Sequence, residues 1–123
     1  DEPQRTAAAV EEGMAAVMGA LKAGVVAGDV HVAWQAVLDR YGLEKPSRIG
    51  YSIGAGYAPD WGEHTLSFRP GETTIVPEDA VVHVILGMWM DDWGMELSET
   101  IHVHGDGCER MCDFPQHVHV VET

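Results

Sequence analysis

The chain contains 123 residues with a mass of 13.4 kDa, the size of one small domain rather than two. Hydrophobic residues make up 46% of the sequence, which is enough to build a core and excludes disorder as the main state. Seven basic against twenty acidic residues give a formal net charge of -13, so nucleic acid and anionic membrane surfaces are not expected as partners.

The sequence carries no membrane or targeting signal. No hydrophobic run approaches the roughly 20 residues of a spanning helix, and the N-terminus lacks the pattern of a signal peptide. Two cysteines are too few for a disulfide framework, which favours the cytoplasm as the expected location. Because the sequence opens on Asp1 rather than on methionine, we expect residues 1–123 to be a single segment of a longer chain.

Helical periodicity occupies the first third of the chain. Between Pro3 and Ala23 the apolar positions recur at helical spacing, and Gly24 stands where a C-terminal cap belongs. Asp29 is predicted to cap a second helix that ends before Gly42. The buried stripes of the two helices are predicted to contain Val10, Met14, Val17, Met18 and Leu21, then Trp34, Val37, Leu38 and Tyr41.

After Pro46 the composition changes to short β-prone runs separated by turn residues. Strands are predicted at 48–53, 65–68, 81–90, 95–103, 109–112 and 117–121. A run of strands after a run of helices is typical of the α+β class and not of a doubly wound parallel sheet.

The segment from Gly50 to His64 reads G-Y-S-I-G-A-G-Y-A-P-D-W-G-E-H. Four glycines allow the backbone to approach a ligand, while aromatic and titratable side chains supply walls and charge. We therefore predict a pocket-lining loop; the alternative is an ordinary connection with aromatic plugs. The side chains concerned are Tyr51, Tyr57, Trp61, Glu63 and His64.

Alternation along the strand at 95–103 places Glu99 on the same face as Met95, Leu97 and Ile101. Such a carboxylate is either buried with a partner, and then a candidate acid or base, or solvated at a sheet edge. For a lone glutamate the solvated edge is the more common outcome.

Histidines and cysteines are concentrated near the C-terminus. Histidines at i and i+2 of a strand share a face, and mixed imidazole and thiolate ligands can hold zinc. However, the C-x3-C step is wider than the usual C-x2-C, and both H-V-H runs also fit plain strand alternation, so a structural zinc site stays the minor alternative. The group comprises His102, His104, Cys108, Cys112, His117 and His119; His31 and His83 are interpreted as packing or surface residues.

Several motifs carry a family resemblance. The helix pair, the Gly-rich segment, the strand V-V-H-V-I-L-G-M-W-M, the step G-M-E-L-S-E-T and the ending D-G-C-E-R-M-C-D-F-P together resemble the C-terminal part of the pita-bread hydrolases. That superfamily includes methionine aminopeptidase, aminopeptidase P, prolidase and creatinase, and the sequence is most like its ectoine hydrolases. The resemblance implies the C-terminal half of a pita-bread fold, with two helices followed by a curved, mainly antiparallel sheet.

The metallopeptidases of this superfamily hold two divalent ions, and three of their ligand positions fall within this chain. Matching their G-H-G-I-G turn to G-Y-S-I-G places Tyr51 at the histidine, and matching E-P-G-I-Y to I-L-G-M-W places Ile85 at the first glutamate. Matching R-I-E-D-T to E-L-S-E-T places Ser98 at the second glutamate. The resemblance therefore implies a metal-independent hydrolase without a cofactor, as in creatinase. By likeness to the ectoine hydrolases, the expected reaction is the opening of a small cyclic amidine that carries a carboxylate.

Residues of this chain can be assigned acid, base and substrate-binding roles in such a reaction. Acid or base candidates are Glu63, His64 and Glu99, while the resemblance places the principal nucleophilic carboxylate ahead of Asp1. The substrate is expected to be a small zwitterion and the full-length protein a homodimer. Substrate contacts are assigned to Tyr51 and Ser52 for the carboxylate, to Trp61 and Trp89 for the amidinium cation, and to Tyr57 as a pocket wall.

Two other functions stay open at this stage. One is a metal-dependent Xaa-Pro aminopeptidase or dipeptidase, the common activity of the superfamily. The other is a non-catalytic binding module stapled by zinc at the His/Cys-rich C-terminus.

Overall fold

The computed structural model describes all 123 residues and begins with two helices. Helix α1 spans Glu2–Ala20 and helix α2 spans Ala27–Tyr41, close to the predicted limits. Gly42 ends α2 in the left-handed conformation (φ 67°), where a glycine avoids the strain of a Cβ atom. Asp29 is not the N-cap: Val26 holds that position, and Asp29 lies in the first turn, where its charge favours the positive end of the helix.

The remainder of the chain forms one antiparallel sheet. Its strands are β1 (Gly50–Tyr57), β2 (Asp60–Ser67), β3 (Val81–Trp89), β4 (Gly94–Val103) and β5 (Cys108–Arg110), in the order β2-β1-β3-β4-β5. Two helices followed by an open antiparallel sheet confirm the α+β prediction.

One loop prediction and one strand prediction are wrong. The segment predicted as a loop, residues 50–64, is most of the β1–β2 hairpin, because its glycines lie against the partner strand; a Cβ atom on Gly56 would come within 2.9 Å of the Trp61 carbonyl oxygen. Residues 117–121 form no strand, although they alternate, because no neighbouring strand pairs with them.

The helices cover one face of the sheet and create the core there. Trp34 of α2 is fully buried, and its ring fits against α1 only because residue 13 is glycine; a Cβ atom at Gly13 would lie 2.1 Å from the ring. Beneath the helices the sheet contributes a second set of buried side chains: Val82, Val84, Leu86, Met88, Ile101 and Val103.

The opposite face of the sheet, here called the open face, is not covered by a helix. Strand alternation places on it Tyr51 of β1, His83 and Ile85 of β3, and Glu96 and Ser98 of β4, all partly or fully exposed. Neither helix is long and apolar enough to cross a bilayer.

Candidate active site

The polar centre of the open face is the hydroxyl group of Tyr51. The β1–β3 register places Tyr51 directly opposite His83, and the Tyr51 hydroxyl oxygen is 3.2 Å from Nδ1 of His83. Trp61 of β2 donates its indole N–H to the same oxygen over 3.2 Å. The guanidinium carbon of Arg48 lies 4.5 Å from the centroid of the Tyr51 ring, so a cation covers that aromatic face.

The donors and acceptors in this group follow from their chemistry. An indole N–H can only donate, so the Tyr51 oxygen accepts from Trp61 and its own proton is free for His83. Burial lowers the pKa of His83, although the nearby Glu96 carboxylate raises it. A neutral imidazole then accepts the Tyr51 proton at Nδ1, which gives an ordered series of hydrogen bonds from Trp61 through Tyr51 to His83.

The three positions matched to metal ligands come together on the open face. Ile85 of β3 lies opposite Ser98 of β4, and it is two residues along β3 from His83, the partner of Tyr51. A pair of divalent ions requires carboxylate and imidazole ligands at about 2.0 to 2.2 Å, and Ile85 has no donor atom. The phenol, hydrocarbon and alcohol at these positions therefore do not fit a dinuclear centre.

A cavity of about 420 Å³ opens beside this group. Its lining includes His83, Glu96, Ser98 and Glu99 from the sheet, and Phe114 and His117 from the irregular C-terminal segment. The volume suits a small organic molecule, since ligand cavities begin at about 300 Å³. Glu96 supplies an anionic group at its edge.

Glu99 occupies the other face of β4 and is buried, with 8% of its surface exposed. Its Oε2 accepts hydrogen bonds from Arg110 Nε at 2.9 Å and from Gln116 Nε2 at 2.8 Å. The solvated-edge interpretation is therefore wrong, and the alternative of a buried carboxylate with a partner is confirmed. Through these bonds Glu99 links β4 to β5 and to the segment that walls the cavity.

Glu63 and His64 lie on β2 and are exposed, away from Glu99. Glu63 accepts the backbone N–H of Ala55 at 3.2 Å, and Nε2 of His64 is 2.5 Å from Oδ2 of Asp60. The backbone N–H of Gly62 and then the His64 side chain hold the pKa of Asp60 below its usual range. Glu63 and His64 thus form their hydrogen bonds within the β1–β2 hairpin. The three predicted acids or bases, Glu63, His64 and Glu99, do not lie together.

The predicted substrate contacts are distributed unequally. Trp61 is 56% exposed and contacts Tyr51, whereas Trp89 is 64% exposed and folds against Gly87 at the far end of β3. Tyr57 is 87% exposed at the end of β1. Ser52 alternates to the face opposite Tyr51, is buried, and shares a 2.8 Å hydrogen bond with Thr65. Only Tyr51 and Trp61 of this set are in direct contact.

Sequence reasoning missed two residues of the open face. His83 was expected to be a packing or surface residue and Glu96 was not considered, yet both line the cavity. A signal was present, because His83 is two residues before Ile85 on β3 and therefore shares its face.

The C-terminal histidines and cysteines do not assemble into the zinc cluster considered above. Cys108 is half-buried and directs its thiol to the carbonyl oxygen of Met18, and Cys112 is exposed. His102 and His104 do share a face, with ring centroids 4.3 Å apart, and the residue that joins them in a group of potential ligands is Asp79.

Comparison with known proteins places this geometry in a family. Residues 1–105 match metallopeptidase family M24, and the chain belongs to that family. It is 38% identical to ectoine hydrolase of Halomonas elongata over 117 residues, which are 94% of this chain and 29% of that protein. It is 32% identical over 107 residues to the uncharacterised hydrolase/peptidase y4tM of Sinorhizobium fredii, covering 87% of this chain and 27% of that protein.

Solved structures agree on the fold. The X-Pro aminopeptidase of Thermotoga maritima superposes with a TM-score of 0.85 at 21% identity, covering 98% of this chain and 34% of the aminopeptidase. The chain therefore corresponds to the C-terminal part of the pita-bread fold, as the resemblance implied, and it spans about a third of the length of these relatives.

Proposed function

We propose that the open face forms one wall of the active site of a hydrolase that opens a small cyclic amidine carrying a carboxylate, such as ectoine, without metal ions at the reacting carbon. One observation carries the proposal: Tyr51, Ile85 and Ser98, which the family resemblance matches to metal ligands, lie on three adjacent strands and offer no carboxylate or imidazole. The 38% identity to an ectoine hydrolase supports the same substrate class.

The groups on the open face suit a zwitterionic substrate. An amidinium ion is stabilised by a carboxylate and by aromatic faces; Glu96 in the cavity lining offers the carboxylate, and Trp61, hydrogen-bonded to Tyr51, offers the aromatic face. On substrate binding the Tyr51 hydroxyl would turn its single proton from His83 to the substrate carboxylate, and the Ser98 hydroxyl can donate to the same group. Carboxylate, aromatic and hydroxyl groups of the open face would thus meet both charged ends of the substrate.

Ring opening adds water to the amidine carbon, breaks one C–N bond and transfers a proton to the departing nitrogen. Once Tyr51 donates to the substrate, Nδ1 of neutral His83, which lines the cavity, is free to take a proton from the attacking water and pass it to the departing nitrogen. Glu63 and His64 remain proposed acids or bases that would act from the β1–β2 hairpin. For Glu99 we propose a positioning role, since its carboxylate is occupied by Arg110 and Gln116.

The second candidate function is metal-dependent cleavage of Xaa-Pro peptides, the common activity of the superfamily. Its support is the fold that the chain shares with an X-Pro aminopeptidase; at 21% identity this likeness is evidence for the fold only.

For the full-length protein we also propose a homodimer located in the cytoplasm, where osmolyte breakdown would take place.

A substrate panel tests the proposed reaction. The purified full-length protein is incubated with ectoine and, separately, with Xaa-Pro dipeptides, each with and without added Mn²⁺ or Co²⁺, and products are followed by mass spectrometry. Ring-opened product from ectoine, with dipeptides left intact, supports the proposal. Cleavage of dipeptides that depends on added metal would replace it with the peptidase alternative.

A further inference from the structure

Four side chains able to ligate a metal meet at the end of the sheet where β4 finishes. His102 lies near the end of β4, His104 follows it, Glu109 of β5 is paired with His102, and Asp79 precedes β3. One donor atom from each of Asp79, His102 and His104 lies within 4.8 Å of the others. We propose that these three residues bind one Zn²⁺ ion and that Glu109 orients the two imidazoles.

The distances within this zinc cluster (Asp79, His102, His104 and Glu109) are close to those that a bound ion requires. Nε2 of His102 is 3.0 Å from Oδ1 of Asp79, and Oε1 of Glu109 is 3.2 Å from Nδ1 of His102 and 3.1 Å from Nε2 of His104. Ligands of a tetrahedral zinc ion are separated by about 3.4 Å when each bond is about 2.1 Å long. The distance between the His102 and Asp79 ligand atoms is therefore close to this spacing, and the His104 ligand atom lies within 4.8 Å of both.

Each imidazole nitrogen of His102 has a defined neighbour. Nε2 faces Asp79 and Nδ1 faces Glu109, so one nitrogen can bind the ion while a carboxylate fixes the ring from the other side. Carboxylates in that position commonly orient metal-bound histidines and increase their basicity. Glu109 is suited to this role because strand pairing holds it opposite His102.

Backbone hydrogen bonds hold the ligands in place without the ion. The N–H of Asp79 donates to the Val103 carbonyl oxygen at 2.9 Å, and the N–H of His104 donates to that of Gly107 at 2.8 Å. Asp79 adopts φ 63°, a left-handed conformation that aspartate tolerates better than most residues and that is frequent at functional positions. These backbone hydrogen bonds thus fix the positions of the loop before β3 and of the β4–β5 turn.

The ligand chemistry selects the class of ion. Two imidazoles with carboxylates suit borderline ions such as Zn²⁺, whereas Mg²⁺ and Ca²⁺ prefer oxygen ligands alone. The zinc cluster is separate from the proposed reaction site, since His102 is four residues beyond Ser98 on β4, about 13 Å along the strand. The ion would therefore tie the Asp79 loop to the β4–β5 hairpin and would not enter ring opening.

Calorimetric titration of chelator-treated protein with zinc chloride tests the site, with thermal unfolding as the second measurement. We expect saturable binding of one ion per chain and a melting temperature several degrees higher in excess zinc, because an ion that binds only the folded state stabilises it. Magnesium chloride should produce neither effect. The double variant H102Q/H104Q should lose both.

The chain offers a matched control in its second His-Val-His run. His117 and His119 have ring centroids 4.5 Å apart but belong to no group of three potential ligands, so H117Q/H119Q should bind zinc as the unmodified protein does. If H102Q/H104Q does not fold, Asp79→Asn and Glu109→Gln replace it, each expected to weaken zinc binding at least about tenfold. Absence of saturable binding, unaltered affinity in the Asp79 and Glu109 variants, or loss of binding in H117Q/H119Q would overturn the proposal.

Discussion

Tyr51 and His83 lie directly opposite each other on adjacent antiparallel strands, with the tyrosine hydroxyl oxygen 3.2 Å from Nδ1 of the imidazole. Family resemblance places Tyr51 at the position of a metal-binding histidine. By that resemblance a phenol hydrogen-bonded to an imidazole stands in place of one ion ligand, and Ile85, two residues beyond His83 on β3, stands in place of another. This exchange of ligands for hydrogen-bonding and apolar groups is the basis of the proposed reaction.

Replacing Tyr51 by phenylalanine tests that hydroxyl group. Tyr51→Phe keeps the ring beneath Arg48 but removes the contact to His83 and the proposed hydrogen bond to the substrate carboxylate. Since hydrogen bonds to charged groups contribute about 1.5 to 3 kcal/mol, kcat/KM should fall about 10- to 100-fold.

The control for this variant is Tyr41→Phe. Tyr41 ends α2 and donates its hydroxyl to Glu12 at 3.0 Å, remote from the open face. Steady-state kinetics should show unchanged turnover for Tyr41→Phe; equal losses in both variants would mean that the Tyr51 hydroxyl has no specific role.

Glu99→Gln separates a positioning role from a direct chemical one. Loss of the charge weakens the bonds from Arg110 and Gln116, so the cavity wall loosens. We expect the free energy of unfolding to fall by about 1 to 2 kcal/mol, KM to rise and kcat to change less than KM. Chemical denaturation and steady-state kinetics measure these quantities.

Glu122→Gln makes the same change of charge at an exposed position near the C-terminus and serves as the reference variant. A loss of kcat by several orders of magnitude in Glu99→Gln, with stability unchanged, would instead identify Glu99 as a catalytic acid or base.

Most of the secondary structure could be predicted from the sequence, because it depends on local periodicity. The two helices and strands β3 and β4 follow from the spacing of buried side chains such as Trp34 and Ile101. The predicted strands 48–53 and 65–68 overlap the outer parts of the β1–β2 hairpin. Its inner part was missed because Gly54 and Gly56 favour a loop by composition, and only pairing with β2 makes them part of a strand.

The site was less predictable because its contacts are not local. Glu99 receives its partners from Arg110 and Gln116, which reach it through the path of the chain after β4. Asp79 joins His102 across 23 positions of sequence, and spacing arguments confined to the His/Cys-rich C-terminus could not include it.

A buried histidine on α2 predicts a dependence of stability on pH. His31 is 3% exposed, and burial, followed by the charge of Lys45, lowers its pKa below the usual value. The unfolded chain therefore binds a proton that the folded chain resists, so this contribution to stability is complete above about pH 6.5 and declines as the pH falls below that value.

Thermal unfolding at about pH 7.5 and about pH 5.5, on either side of the ordinary histidine pKa, measures this effect. His31→Leu should lose less stability on acidification than the unmodified protein. His119→Gln, which removes an exposed histidine, should lose as much as the unmodified protein. Identical pH dependence in all three proteins would rule out His31 as the responsible group.

The most direct test of metal-free ring opening is the turnover of ectoine by the full-length protein after exhaustive chelation, measured below the melting temperature of the chelated form with residual metal quantified by mass spectrometry. The Tyr51, Ile85 and Ser98 positions predict that the rate stays at the value before chelation even when thermal stability declines. Loss of turnover on chelation, reversed by Mn²⁺ or Co²⁺, would contradict the account.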